Sequence, residues 1–439
     1  MAAAAETCAE RKKTRFGGRF WVAFIFYNVA LHVAFALLWL PALAAREFRG
    51  RFLKRLGFRL PKLGRSIWLH APSVGEALAI RAFVSELRRA FPGYAVVLTT
   101  FTSGGRQVAR QVDADHHFAL PYDLYPSVAS TVRAFNPALV LIVEGDYWPN
   151  LMFALARRGV PAAAVNGRFT ARSLKRYARA RWLFGPLFGT LRLACATEEE
   201  YVTRYQAMGV DRADIMTTGN LKYDNYEAAV RKDVVDAIAE ALGRPRRRDV
   251  LTAASTHAGE EEIVADVYLK LRRERPGLKL FVAPRYPERA PEVLKLLAAK
   301  GVTAALRTGL PVASPVDAVV LDTLGELGGL YPLGAVAVIG GSFVPRGGQN
   351  MMEAAYHGCV TLWGPHVENF PLETARLAGR GGIGVRDAGE LFEALREIYA
   401  NEQVRNVLGE EAALTAREMM GASKRTIAAV RRFLKGADR

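Results

Sequence analysis

The stretch ALVLIVEGDYWPNLMFALARRGVPAAAVN, residues 138–166, decides the fold. It opens on an unbroken apolar run, Ala138–Val143, and with Glu144 before a glycine turn the stretch Ala138–Glu144 reads as a buried strand. Leu151–Arg158 then carries a helical pattern, and Ala162–Asn166 is a second short apolar run. Strand, helix and strand in that order imply a parallel pair with a helical crossover. Upstream, strands are predicted at Ser66–Ala71 and Tyr94–Thr100, with a helix over Ala77–Ala90 between them; downstream they fall at Leu193–Thr197 and Ile215–Thr218. Past the polar stretch Gly243-Arg244-Pro245-Arg246 the pattern restarts, with strands expected at Val250–Ala254, Leu280–Ala283, Ala318–Asp322, Val336–Gly340, Val360–Trp363 and Ile383–Val385. The expected class is therefore α/β, built as two Rossmann-like domains with a ligand cleft at the carboxyl ends of both sheets. The expected boundaries are a basic segment with an apolar helix over 1–45, a first domain over 46–235 and a second over 236–439.

A chain of 439 residues exceeds one ordinary core, and 51% hydrophobic against 23% charged residues excludes disorder. The three cysteines, Cys8, Cys195 and Cys359, are scattered and form neither a disulfide framework nor a zinc motif. The net charge of +17 is concentrated: residues 1–65 hold 13 Lys/Arg against three acids, and 168–192 hold seven with no acid. Elsewhere 40 basic residues face 40 acidic ones, which weighs against a nucleic-acid binder. Both basic segments border apolar and aromatic residues, as a partner of an anionic membrane surface does.

Phe20–Leu40 is a 21-residue run with no charged side chain, about 31 Å long as a helix. A signal peptide ending at Ala42-Leu43-Ala44 and a buried core helix are alternatives; a membrane anchor, spanning or interfacial, is the favoured reading. Arg46, Arg49, Arg51, Lys54, Arg55, Arg59, Lys62 and Arg65 follow the run, so the remainder is expected on the cytoplasmic side. In 168–192 the basic residues alternate with Tyr177, Trp182, Phe184 and Phe188, which suits either a lipid-contact surface or an internal amphipathic helix.

Chemistry-bearing residues gather on strand-to-helix turns. Ser73 and Glu76 have the spacing of a capping box, and a carboxylate at that place also suits a general base. Glu144 and Asp146 close the central strand. Asp113-Ala114-Asp115, beside His116 and His117, has the short D-x-D form and reads as a solvated loop. In the second half, Gly340-Gly341-Ser342 and Arg346-Gly347-Gly348-Gln349-Asn350 lead into a helix in which Glu353 comes early. Glycine allows close approach of backbone to a phosphate, and a helix start attracts it. Arg285 ends another strand, and Gly325-Glu326 and Ser255-Thr256-His257 sit on further turns. These strand-to-helix turns carry neither the G-x-G-x-x-G dinucleotide fingerprint nor a P-loop.

Taken in order, HAPSVGE (70–76), VEGDYWPN (143–150), NGRFTARS (166–173), TGNLKYD (218–224), ASTHAGEE (254–261), PRYPER (284–289), DTLGEL (322–327), GGSFVPRGGQNMMEAAYHG (340–358) and WGPHVENF (363–370) resemble the Kdo transferases of lipopolysaccharide synthesis. These enzymes attach 3-deoxy-D-manno-octulosonic acid (Kdo) to lipid A precursor. The resemblance implies a GT-B glycosyltransferase of the inner membrane that uses CMP-Kdo, inverts the anomeric centre and needs neither metal nor cofactor. It implies Glu76 as catalytic base, Glu144 and Arg106 on the acceptor side, and Arg285, Gly325, Glu326, Asn350 and Glu353 on the nucleotide-sugar side. The chain departs from the familiar E-T-E-L-W-P-N at Gly145, Asp146 and Tyr147; Gln349 stands where histidine is frequent, and Met351-Met352 replaces Pro-Leu. The rival readings are a GT-B enzyme using a UDP-sugar and a non-catalytic lipopolysaccharide-binding protein.

Overall fold

The computed structural model describes residues 16–39, 53, 55–58, 60–226 and 232–434. Ala42–Ala44 and Arg46, Arg49, Arg51, Lys54 and Arg59 lie outside these. The described residues form two compact units, one running to Asn225 and regaining the chain from Gly421, the other spanning Tyr226–Met420.

The first unit is built on β1 (Ser66–His70), β2 (Ala95–Thr100), β3 (His116–Ala119), β4 (Pro137–Val143), β5 (Ala162–Gly167), β6 (Leu193–Ala196) and β7 (Ile215–Thr217). Its order is β3-β2-β1-β4-β5-β6-β7, all parallel. The apolar run of β4 sits at the centre with Leu139–Val143 fully buried, because helices cover both faces. The second unit holds β8 (Val250–Thr256), β9 (Lys279–Pro284), β10 (Ala304–Leu306), β11 (Ala318–Val320), β12 (Val336–Ile339), β13 (Val360–Trp363) and β14 (Gly382–Gly384). They run parallel in the order β10-β11-β9-β8-β12-β13-β14. In each sheet the connection reverses direction once beside the centre, at β1/β4 and at β8/β12, which is where ligands bind such sheets.

The expected boundaries shift at two points. Helix Lys232–Ala241 buries Val234, Ile238 and Ala241 in the second unit's core, so the division comes before it. Helix Ala422–Leu434, assigned by its sequence position to the second domain, packs Ala422, Ile427, Val430 and Leu434 against Ile80, Phe83 and Leu87 of the first. Asp224 accepts from the amides of Gly421 and Ser423 at 2.6 Å each, tying the returning chain to the end of the first unit. The stretch 113–117 is also more structured than a solvated loop: Arg88 clamps Asp113 and Asp115, and His116 opens β3.

The apolar amino-terminal run forms helix Gly18–Trp39. Phe20 and Phe24 are buried in the first unit's core around Phe153. Tyr27 donates to Asp123 at 2.9 Å, Asn150 donates to Asn28 at 2.9 Å, and Phe35 meets the Tyr122 ring at 5.4 Å. One face is thus docked along the helix, while Val22, Ile25, Phe26, Val29, Val33 and Leu37 stay exposed on the other. Arg55, expected as a membrane-flanking cation, instead lies against the rings of Tyr122 and Phe101, at 4.2 and 4.9 Å. Residues 168–192 resolve into helices Ala171–Arg179 and Arg181–Phe188. Tyr177, Phe184 and Phe188 turn inward onto Phe169 and Tyr147, whereas Trp182 and the basic residues Arg172, Lys175, Arg176 and Arg179 face outward.

Candidate active site

In the first unit the turns after β1 and β4 flank the reversal point. Glu76 lies in the first turn of helix Val74–Ala79, and its Oε2 accepts the Ser73 amide at 3.1 Å, so the carboxylate does cap. It remains half-buried, and its pKa is raised: burial is the largest cause, and the Glu144 charge adds to it, while backbone amides and Lys222 act in the opposite direction. Glu144 follows β4 at φ 59°, and Asn166, within the neighbouring β5, stands at φ 51°. Non-glycine residues seldom adopt this left-handed conformation, and its cost of about 1–3 kcal/mol each is tolerated where function needs the geometry.

Both are held. Asn166 donates to Glu144 at 3.3 Å and accepts the Leu221 amide at 2.8 Å, while Lys222 reaches Glu144 at 3.7 Å. Burial, the largest single influence, pushes the Arg168 guanidinium down, but Glu144, Tyr201 and Glu198 together outweigh it, so its pKa is raised. The structure therefore gathers Glu76, Glu144, Lys222 and Arg168 into one electrostatic cluster. Asp146 belongs to the same turn, accepting Trp148 Nε1 at 2.9 Å and facing the buried His70 Nε2 at 3.4 Å. Arg106 is not joined to Glu76 or Glu144 by a hydrogen bond or ion pair among the described residues; its guanidinium donates to Phe101 O at 3.4 Å.

In the second unit Glu260 connects the turns at the reversal point. Its carboxylate, 1% exposed, accepts the amides of His257 (2.8 Å), Gly341 (2.7 Å), Ser342 (3.0 Å) and Phe343 (2.9 Å). Glu261 accepts from Thr256 at 2.9 Å and Arg289 at 2.7 Å, which fixes the turn that carries Arg285. The Arg285 guanidinium is exposed, and among the described residues it makes no ion pair. Asn350, just before the helix Met352–Tyr356, accepts the Met352 amide at 3.1 Å and donates to Tyr226 at 3.0 Å. Glu353 is pushed up by burial, and its carboxylate packs so closely on Gly328 that a Cβ there would collide with it. Gly325 stands at φ 80°, and Glu326 is held by Arg307 at 2.8 Å and by Thr323.

Asn166, Lys222, Glu260 and Glu261 were not singled out in sequence. All four lie inside motifs that were, so the signal was present as a string but not as a role.

A family model described as 3-Deoxy-D-manno-octulosonic-acid transferase (kdotransferase) matches residues 50–225. The 3-deoxy-D-manno-octulosonic acid transferase of Bordetella pertussis is 32% identical over 435 residues, covering 93% of this chain and 99% of its own. The chain belongs to the Kdo transferase family. The enzyme of the same name from Haemophilus influenzae is 29% identical over 401 residues, covering 89% and 92% of the two chains. Among solved structures, a glycosyltransferase from Rickettsia africae superposes with a TM-score of 0.54 at 12% identity, covering 85% of this chain and 99% of its own. The UDP-GlcNAc 2-epimerase of Neisseria meningitidis gives a TM-score of 0.58 at 12% identity, with 84% and 99% covered. At such identities these two establish the fold alone, and the fold is the GT-B type expected. This Kdo transferase is accordingly a glycosyltransferase with two doubly wound sheets and an apolar amino-terminal helix.

Proposed function

We propose that this Kdo transferase moves Kdo from CMP-Kdo to a glucosamine hydroxyl of lipid A precursor, with inversion and without a metal. Glu76 takes the hydroxyl proton as the oxygen attacks the anomeric carbon; the bond from that carbon to the phosphate oxygen breaks, and its electron pair leaves on CMP. The observation that carries this reading is the raised pKa of Glu76 beside Glu144 and Lys222, at the reversal point of its sheet. A base whose pKa approaches the working pH transfers protons more effectively. Glu144, with Lys222 and Arg168, orients the acceptor, and Arg106 contributes charge for an acceptor phosphate from its helix beside the Ser73 turn.

In the second unit Arg285 and the amides around Gly325, Glu326 and the glycine-rich turn before Asn350 hold the phosphate, and Glu353 takes the ribose hydroxyls. Preorganised cations and N–H donors at a developing charge do here what a metal does elsewhere. Titration with CMP and UDP tests the donor: CMP binding more tightly supports it, and tight UDP binding with negligible CMP binding refutes it.

The protein acts on the cytoplasmic face of the inner membrane. Helix Gly18–Trp39 is long and apolar enough to cross a bilayer, but its docked face and its bonds to Asp123 and Asn150 favour a helix lying in the interface. Deleting residues 1–45 should shift the protein toward the soluble fraction. Full solubility of the intact chain at low salt would contradict the membrane assignment.

A further inference from the structure

An open cavity of about 540 Å³ runs between the start of helix Gly18–Trp39 and helix Arg181–Phe188, lined among others by Arg19, Phe20, Arg181, Trp182, Gly185 and Met208. We propose that it binds one anionic phospholipid of the bilayer, with the phosphate between Arg19 and Arg181 and the glycerol and first acyl carbons against Phe20, Trp182 and Met208. The site rests on the interfacial placement of the helix argued above.

Two guanidiniums share this cavity, and among the described residues neither has a carboxylate partner. Like charges lining one hollow repel until an anion enters, and the amino-terminal end of the helix adds positive potential. The walls match a lipid rather than a soluble anion. Trp182 is 65% exposed and carries the Arg19 guanidinium 5.8 Å from its ring centre, which suits an aromatic ring at headgroup depth. The exposed apolar stripe begins one turn beyond Arg19 with Val22 and Phe26, 72% and 74% exposed. Glycines keep the floor open: Gly209, at φ 103°, faces the Gly185 carbonyl, which would lie 3.2 Å from any Cβ placed there.

The test uses the full chain in detergent, with native mass spectrometry counting retained phosphatidylglycerol or phosphatidylcholine. Three variants are compared: Arg19→Ala/Arg181→Ala; Gly185→Leu, which fills the groove without altering charge; and a control pair, Arg172→Ala/Lys175→Ala, on the neighbouring basic face. A Cβ at Gly185 meets only ordinary contacts, Arg181 Cγ at 3.6 Å and Met208 O at 4.0 Å, so the position admits a side chain without a clash at its first carbon. One retained phosphatidylglycerol is expected for the parent, with affinity falling about tenfold in the arginine pair and in the plug, and unchanged in the control. Equal retention in all variants, or an equal loss in the control, would overturn the site in favour of diffuse surface charge. Displacement by an equal concentration of inorganic phosphate would overturn the lipid source, and preferential retention of added lipid A precursor would reassign the groove to the acceptor. Flotation on phosphatidylcholine vesicles separates the underlying claim: all variants should float like the parent, and a parent that floats on no vesicle defeats the interfacial helix itself.

Discussion

The Glu76 carboxylate combines an observed helix cap with the proposed role of base. It caps its own helix through the Ser73 amide, and it sits close enough to Glu144 and Lys222 to feel both charges. The signs give a prediction. A base must be deprotonated, so activity rises as pH climbs through the raised pKa of Glu76. Glu144→Gln removes a neighbouring negative charge and should move the acid limb of the pH–rate profile to lower pH. Lys222→Met removes a positive one and should move it to higher pH. Limbs that stay in place in both variants would show that Glu76 is not the titrating group. Asp123 offers a separate check, since burial raises its pKa to about 7 from 3.8. A carboxyl raised in this way favours the fold at low pH, and that contribution is lost as pH rises from about 4 to about 7. The apparent Tm should fall across that window and flatten in Asp123→Asn; a parent profile that does not fall would contradict the assignment. At this scale the sequence showed the places of Glu76 and Glu144, one in the helix start after β1 and the other directly after β4. It was not legible for Asn166 or Lys222, whose roles arise only when β5 and the segment after β7 come beside the turn after β4.

Glu260 shows how an element boundary prepares a site. Its carboxylate holds amides from the turns after β8 and β12, and a glutamine there would present two N–H donors to donors already in place. Glu260→Gln should raise the KM for CMP-Kdo about tenfold and destabilise the second unit by about 2 kcal/mol, leaving the pH limb set by Glu76 unmoved. An unchanged KM would mean that these turns do not take part in donor binding. The same scale explains what pattern reading missed. Twelve of the fourteen strands among the described residues lie at or within a residue or two of apolar runs visible in the sequence, and the two exceptions, β3 and β10, are both sheet edges. An edge strand needs no two-sided burial: His116–Ala119 carries two histidines and none of its residues is buried, and Ala304–Leu306 is only half-buried throughout. Their hydrophobic signal is correspondingly weak.

For the whole molecule, two doubly wound units were readable from the restart of the strand pattern, but their boundaries were not. The last helix carries an apolar face that would suit either core, and only the completed fold assigns it to the first. Truncation after Met420 should therefore expose Ile80, Phe83 and Leu87 and aggregate the protein through its first unit. Limited proteolysis that cut the first unit no faster in the truncated chain would contradict that dependence. Charge concentration was legible too, although Arg55 shows that a basic residue near an apolar segment can be used for packing within the fold. The central claim joins this scale to the first: the protein is a Kdo transferase whose chemistry depends on one carboxylate. The most direct test incubates purified protein and its Glu76→Gln variant with CMP-Kdo and tetraacylated lipid A precursor and weighs the lipid product. The account predicts Kdo added by the parent and a rate lower by about 10²–10⁴ in the folded variant; equal product from both would contradict it.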